Sequence, residues 1–189
     1  MRNHQGEGAD KRAPMAAAPM KYDAAGAVAW GEMWDSFCVL AIDGGPQHRA
    51  TLLEGDPAAD PDSDGYRFAA TEITRGILAV SGLPATAGPT GWLAIQCPSA
   101  SMAHWLAEAI IEENVAARAE GAALLVPVGA SYSLKGEIKN VITAVAKTTH
   151  YWREHLPAEV KQTLEWQTRL GGLRRRVNGW FGRGAAKQA

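Results

Sequence analysis

The feature that most constrains this chain is a long amphipathic pattern between residues 135 and 155. Its apolar positions fall within a narrow arc at about 100° per residue, which is the angular period of an α-helix. They are Ile138, Val141, Ile142, Val145, Thr149 and Trp152. The pattern therefore predicts one long helix that turns a single face towards a core.

Shorter patterns along the chain predict the other elements of the fold. The predicted helices span 27–42, 67–81, 100–114 and 158–170, and the predicted strands span 47–54, 92–97, 115–119 and 122–128. Residues 82–91 are rich in glycine and proline and are predicted to be a connector. The order predicts an α+β single domain with helices packed on a four-stranded, partly antiparallel sheet of the ferredoxin-like or split βαβ type.

The length of 189 residues suits one domain with tails. Residues 1–20 are polar and then rich in alanine and proline, which predicts a disordered leader without an export signal, and Met20 is an alternative start of translation. Residues 21–157 are predicted to form the α+β domain. Residues 158–189 are predicted to form a basic C-terminal helical arm.

Charge is distributed unevenly between this arm and the rest of the chain. Residues 168–189 contain no acidic residue and carry six basic ones, which are Arg169, Arg174, Arg175, Arg176, Arg183 and Lys187. Because the net charge is −1, the other 167 residues sum to −7. An acidic body with a basic arm favours docking of the arm to an acidic surface.

Aromatic side chains in the arm sharpen this expectation. Apolar residues recur there at helical spacing with arginines around them, a combination typical of an amphipathic helix at a membrane surface or in a partner's groove. The apolar residues are Leu170, Leu173, Val177, Trp180 and Phe181. The predicted docking residues are Arg174, Arg175, Arg176, Trp180 and Phe181. The alternatives are a protein partner, an acidic patch on the body and an anionic membrane. The absence of an RNP motif, of a helix-turn-helix pattern and of a broad basic face on the body argues against nucleic acid.

Two polar clusters are candidates for a ligand site. The turn 44–49 combines glycines with His48 and Arg49 ahead of a predicted strand, where exposed amides and cations suit a phosphate or carboxylate. On the long helix, a polar strip contains Lys139, Asn140, Thr143 and Lys147, with His150 near its end. The strip has two interpretations, a solvated helix face or the lining of a cleft. The predicted ligand-binding residues are His48, Arg49, Lys139, Thr143 and His150.

Metal and catalytic motifs give no positive prediction. Residues 60–65 match the opening of an EF-hand loop, but the twelfth position is Thr71 instead of glutamate, so we interpret them as a solvated acidic loop. His150 and His155 are five residues apart and would lie about 140° apart on an α-helix, and no H-x-x-x-H or C-x-x-C pattern occurs. A site formed by His48, His150 and Cys38 would require a tertiary contact that the sequence does not indicate. We therefore predict no metal ligand and, since G-x-S-x-G and S-x-x-K are also absent, no catalytic residue.

These observations lead to one functional expectation with two alternatives. The first is a cytoplasmic accessory or regulatory protein that binds a small ligand or a protein partner, with peripheral membrane contact through the arm. The first alternative is a small enzyme, or a metal- or tetrapyrrole-handling protein, that uses a cleft between residues 44–49 and the helix 135–155. The second is a structural subunit of a larger or membrane-peripheral complex. No apolar run approaches the roughly 18 residues of a membrane span, and the pattern identifies no cofactor.

Overall fold

The computed structural model describes residues 20–33 and 52–168. These residues contain a 3₁₀ turn at Trp30–Met33 and helices α1 (Asp64–Ser81), α2 (Ala100–Glu112) and α3 (Lys139–His150). Residues 158–168 are also helical and are called α4 here. The strands are β1 (Ala85–Ala87), β2 (Trp92–Gln96), β3 (Arg118–Glu120) and β4 (Ala123–Pro127). The predicted fold class, a single α+β domain with a four-stranded sheet, is confirmed.

The sheet consists of two hairpins joined by α2. Its strand order is β1-β2-β4-β3, and every neighbouring pair is antiparallel. The antiparallel pairing of this sheet differs from a split βαβ unit, in which strands run parallel. Of the strand predicted at 47–54, residues 47–51 lie outside the described residues, and Leu53 forms an isolated parallel bridge with Val115.

Strand β1 lies inside the stretch predicted to be a connector. Its three residues pair with β2 from Ala85↔Ile95 to Ala87↔Leu93. Proline and glycine flank it closely at Pro84 and Gly88, and such residues are tolerated because β1 is an edge strand. A short strand between turn residues carries too few alternations for a periodic pattern to reveal it.

Helix α1 starts three residues earlier than predicted, because the acidic loop leads directly into its N-terminal cap. The Ser63 side chain accepts a hydrogen bond from the Tyr66 N–H, and the Asp60 carboxylate accepts one from the Asp62 N–H. At the other end, Gly82 adopts a left-handed conformation with φ 65° and donates to the Leu78 carbonyl. The residues of the apparent EF-hand opening thus take part in capping a helix.

Helices α1 and α2 lie against the sheet, and α3 lies against both of these helices. One continuous core joins all of these elements, and its fully buried side chains include Trp30, Ile77, Ile95, Leu106 and Ile142. Helices α1 and α3 approach each other closely at Gly76, where an added Cβ would lie 2.3 Å from Ile142 Cδ1.

The long helix predicted at 135–155 is confirmed as one helical run, but its ends are π-helical. Leu134–Ile138 and Tyr151–His155 are π-turns on either side of α3. Their wider geometry shows in i→i+5 hydrogen bonds, from the Ile138 N–H to the Ser133 carbonyl and from the Leu156 N–H to the Tyr151 carbonyl. Leu156 then becomes extended ahead of Pro157, which ends the helix.

The other predicted elements are confirmed to different extents. The hairpin of β3 and β4 turns at Gly121, whose φ is 62°. Of the helix predicted at 27–42, residues 34–42 lie outside the described residues, and Trp30–Met33 is a 3₁₀ turn. Among the helices in residues 20–33 and 52–168, none has the length and apolar character needed to cross a membrane.

Candidate functional site

The polar strip of α3 is buried or half-buried, which does not fit its interpretation as a solvated face. Lys139 and Thr143 are each only 2% exposed, although they lie away from the most apolar residues of α3. The apolar side, with Ile142 and Val145, is fully buried as well. Helix α3 is thus buried nearly all round, and buried polar side chains ordinarily require hydrogen-bond partners other than bulk water.

The far end of the strip is joined to α2 by an ion pair. The Lys147 ammonium donates to Glu113 Oε1 at 2.5 Å, and the two side chains are 21% and 12% exposed. Glu113 is the C-cap residue of α2, where the helix dipole disfavours a negative charge. The positive charge of Lys147 offsets the unfavourable interaction between the carboxylate and the helix dipole. It also offsets part of the free-energy cost of desolvating the carboxylate. Glu113 is thus a largely buried carboxylate at the end of α2.

The chain reverses direction immediately after this cap. Asn114 adopts a left-handed backbone with φ 58°, a conformation that asparagine tolerates better than most residues. The reversal allows the Leu53 N–H to donate to the Asn114 carbonyl at 2.8 Å. It fixes the end of α2, and with it the Glu113 carboxylate, beside α3.

Three oxygen atoms in and beside the strip are buried without a hydrogen-bond partner among the described residues: Glu113 Oε2, Asn140 Oδ1 and Thr143 Oγ1. Asn140, Thr143 and Lys147 follow one another at i, i+3 and i+7, so they share one side of α3 over about 10 Å. Lys147 brings Glu113 to the same side. The strip therefore combines orphaned acceptors with two lysines.

Lys139 begins this strip at the first residue of α3. Desolvation by burial lowers the pKa of its amine below the usual value. The carboxylate and the side-chain amide oxygen of the strip require donors, whereas the Thr143 hydroxyl can accept or donate. The arrangement is suited to a small polar molecule that brings hydroxyl or amino groups.

The structure brings only some of the predicted ligand-binding residues together. Lys139 and Thr143 are one helical turn apart on the buried strip. His150 is half-buried on the same side of α3, but about 16 Å further along the axis than Lys139, at 1.5 Å per residue. His48 and Arg49 lie outside the described residues, as do Cys38 and the predicted docking residues Arg174, Arg175, Arg176, Trp180 and Phe181.

Sequence reasoning also misplaced one pair of histidines. The ring centroids of His150 and His155 are 5.2 Å apart, with the ring planes inclined by 66°. The expected separation of 140° assumed an α-helix, whereas residues five apart become neighbours in the π-turn Tyr151–His155. A periodic pattern of side chains contains no signal for such a turn.

A concavity of about 350 Å³ lies between the N-terminus of α2, the second π-turn and α4. Met102, Trp152, Arg153 and Lys161 contribute to its lining. Its two cations are already engaged, since Arg153 donates to the Ser81 carbonyl and Lys161 donates to the Arg153 carbonyl. Both cationic side chains therefore have a structural role as donors to backbone carbonyls.

Comparisons with known proteins provide no further assignment: no protein-family model, no curated protein and no solved structure matches this chain.

Proposed function

We propose that this protein is a cytoplasmic accessory or regulatory protein whose α+β body binds a small polar ligand along the strip of α3. The observation that carries the proposal is the set of three buried oxygen atoms without hydrogen-bond partners among the described residues. An unpaired buried polar atom costs roughly 1–3 kcal/mol. A fold that keeps three of them in and beside one strip favours a role for them other than stability.

The chemistry of these atoms limits the class of ligand. Glu113 Oε2 and Asn140 Oδ1 accept hydrogen bonds, so the ligand must supply donors such as hydroxyl or amino groups. A small molecule that carries several hydroxyl or amino groups meets this condition.

The first test is native mass spectrometry of the full chain purified gently from its own source. The proposal predicts a bound small molecule that is released on denaturation and identified by its accurate mass. The released compound is then titrated against the protein by calorimetry. A clean apo mass, with ordered water accounting for the three oxygens, would contradict the proposal.

A matched pair of variants links this ligand to the strip. Thr143→Val removes the unpartnered hydroxyl, whereas Thr148→Val removes a hydroxyl that donates to the Ala144 carbonyl at 2.7 Å. Both threonines are buried in α3. We expect Thr143→Val to weaken binding of the released compound at least tenfold and Thr148→Val to leave it unchanged. Equal effects would place the ligand elsewhere.

The basic arm adds the second part of the proposed role. Its charge of +6 against −7 on the rest of the chain supports docking to an acidic surface, on a partner or on a membrane. The residues concerned lie outside the described residues, so this part of the proposal depends on the sequence alone.

A further inference from the structure

The second π-turn presents two imidazoles to each other at the C-terminal end of α3. His155 is exposed and His150 is half-buried, so both rings lie where a solute can reach them. The turn consists of Tyr151–His155 and closes with the hydrogen bond from the Leu156 N–H to the Tyr151 carbonyl, 3.0 Å long. Turns of this kind are rare and occur frequently at functional sites.

The separation of the two rings matches that of a metal chelate. With Zn–N bonds of about 2.0–2.1 Å and a roughly tetrahedral angle, two coordinated imidazole centroids lie about 5.2 Å apart. The observed centroid distance is 5.2 Å, and the ring planes are inclined by 66°. The distance between the two rings is therefore compatible with coordination of one cation by both.

Neighbouring aromatic rings hold this geometry. The ring centroids of Tyr151 and His155 are 5.4 Å apart. The Tyr151 ring also stacks on Trp105, with the centroids 6.0 Å apart and the planes inclined by only 10°. Trp105 also contacts Trp152 at 5.5 Å, and Trp152 belongs to the core. The histidine pair is thus attached to the core through a chain of rings, which limits the entropy lost when a metal binds.

We propose that His150 and His155 form a binding site for a divalent transition metal of the zinc type. Neutral imidazole nitrogen is a preferred ligand of Zn²⁺, Cu²⁺ and Ni²⁺, and two such ligands five residues apart in a π-turn form a chelate. In residues 20–33 and 52–168 no group of three or more His, Cys, Asp or Glu side chains is placed to hold a metal. Water, or a donor from a bound molecule, therefore completes the coordination, and the ion keeps exchangeable positions.

The experiment titrates the full chain with Zn²⁺ by isothermal calorimetry, in buffer free of competing ligands. The variants are His150→Gln and His155→Gln. The matched control is His104→Gln, because His104 is a half-buried histidine on α2 and not a member of the pair. We expect one site in the unmodified protein, at least tenfold weaker binding in each π-turn variant, and unchanged binding in the control.

A second measurement separates loss of binding from loss of fold. The melting temperature of each metal-free variant should match that of the unmodified protein, and Zn²⁺ should raise it only where both histidines are present. The proposal is overturned if His155→Gln binds Zn²⁺ as tightly as the unmodified chain. It is also overturned if all three variants weaken binding equally, since the metal would then have no preference for the π-turn.

Discussion

At the scale of single residues, Thr143 is the position where stability and function should conflict. Its hydroxyl is buried without a partner among the described residues, whereas the hydroxyls of Thr148 and Thr149 donate to carbonyls one turn earlier in α3. Valine has nearly the same shape as threonine and carries no polar atom. Replacing Thr143 with valine therefore removes the free-energy cost of an unpaired buried hydroxyl. Replacing Thr148 with valine removes a hydrogen bond.

We expect Thr143→Val to raise the free energy of unfolding by about 1 kcal/mol, and Thr148→Val to lower it by about 1 kcal/mol. Urea denaturation at neutral pH, followed by circular dichroism in the absence of ligand, measures both values. If Thr143→Val destabilises the protein as much as Thr148→Val, the Thr143 hydroxyl has a partner in solution, and the strip loses one of its orphaned atoms.

Lys139 is expected to give stability a dependence on alkaline pH. Burial lowers the pKa of its amine in the folded state, so the unfolded chain binds more protons between that pKa and the unfolded value of about 10.4. Stability contributed by this residue therefore rises with pH across that window and is lowest below it. The free energy of unfolding of the unmodified protein, minus that of Lys139→Met, should increase between neutral pH and about pH 10. If this difference in free energy does not change with pH, the pKa of Lys139 is the same in the folded and unfolded states.

At the scale of elements, the first π-turn has a cap that fits its wider helical turn. The Glu137 carboxylate accepts hydrogen bonds from both the N–H and the hydroxyl of Ser133, each 2.8 Å long, and these bonds lower the pKa of Glu137. In an ordinary capping box the carboxylate is three residues after the cap, whereas here it is four residues after. The extra residue matches the i→i+5 bond from the Ile138 N–H to the Ser133 carbonyl.

This cap predicts a loss of stability in Glu137→Ala of about 1 kcal/mol. Because the folded pKa of Glu137 is lowered, its contribution is complete above the unfolded pKa of about 4.3 and disappears as the pH falls through the folded value. Denaturation at pH 7 and at pH 3 should show a larger loss of stability in Glu137→Ala at pH 7 than at pH 3. The exposed carboxylate Glu108 on α2 supplies the control variant Glu108→Ala, which should cost clearly less at both pH values.

The crossing of α1 and α3 predicts that Gly76→Ala destabilises the protein, although alanine favours a helix by about 1 kcal/mol over glycine. A methyl group at Gly76 would lie 2.3 Å from Ile142 Cδ1 and 2.8 Å from Ile142 Cγ1, and Ile142 is fully buried. Overpacking of this kind costs about 1–3 kcal/mol.

Ile142→Val should partly rescue this variant, because it removes the nearer of the two clashing atoms. The free energies of unfolding of Gly76→Ala, Ile142→Val and the double variant form a mutant cycle. We expect the double variant to be at least about 1 kcal/mol more stable than the sum of the two single effects. Additive effects would show that Ile142 moves aside without cost.

The same elements show what periodicity can and cannot predict. Side-chain spacing located α1, α2 and the helical run around α3, because each presents one apolar face to a common core. It failed for β1, whose three residues lie between Pro84 and Gly88. It also failed for the histidine pair, because the π-turn replaces the 3.6-residue period with a wider one.

Burial of the polar strip was beyond sequence reasoning for a different reason. A strip of lysine, asparagine and threonine has the same local pattern whether water or protein covers it. The contact that buries its end comes from Glu113, which is 34 residues from Lys147 in the chain. Only the tertiary arrangement of α2 and α3 determines that these polar groups are inside.

At the scale of the whole molecule, the opposite charges of body and arm predict salt-dependent binding to anionic surfaces. We expect the full chain to bind vesicles that contain a third phosphatidylserine at low ionic strength, and to dissociate as salt is added. The variant Arg174→Gln/Arg175→Gln/Arg176→Gln should weaken binding by about 3 kcal/mol, or roughly 100-fold, at about 1 kcal/mol for each cation near an anionic surface. Co-sedimentation with the vesicles measures this change.

The control must remove the same charge from the body, because any triple neutralisation lowers the net attraction to a negative surface. Lys21, Arg67 and Lys135 are exposed cations of the described residues, and their simultaneous exchange for glutamine is matched in charge to the arm variant. If the arm binds as a unit, with Trp180 and Phe181 inserted beside the arginines, the control should retain most of the binding. Equal losses in the two triple variants would show that net charge governs the association, and an unmodified chain that fails to bind would contradict a membrane-docking role for the arm.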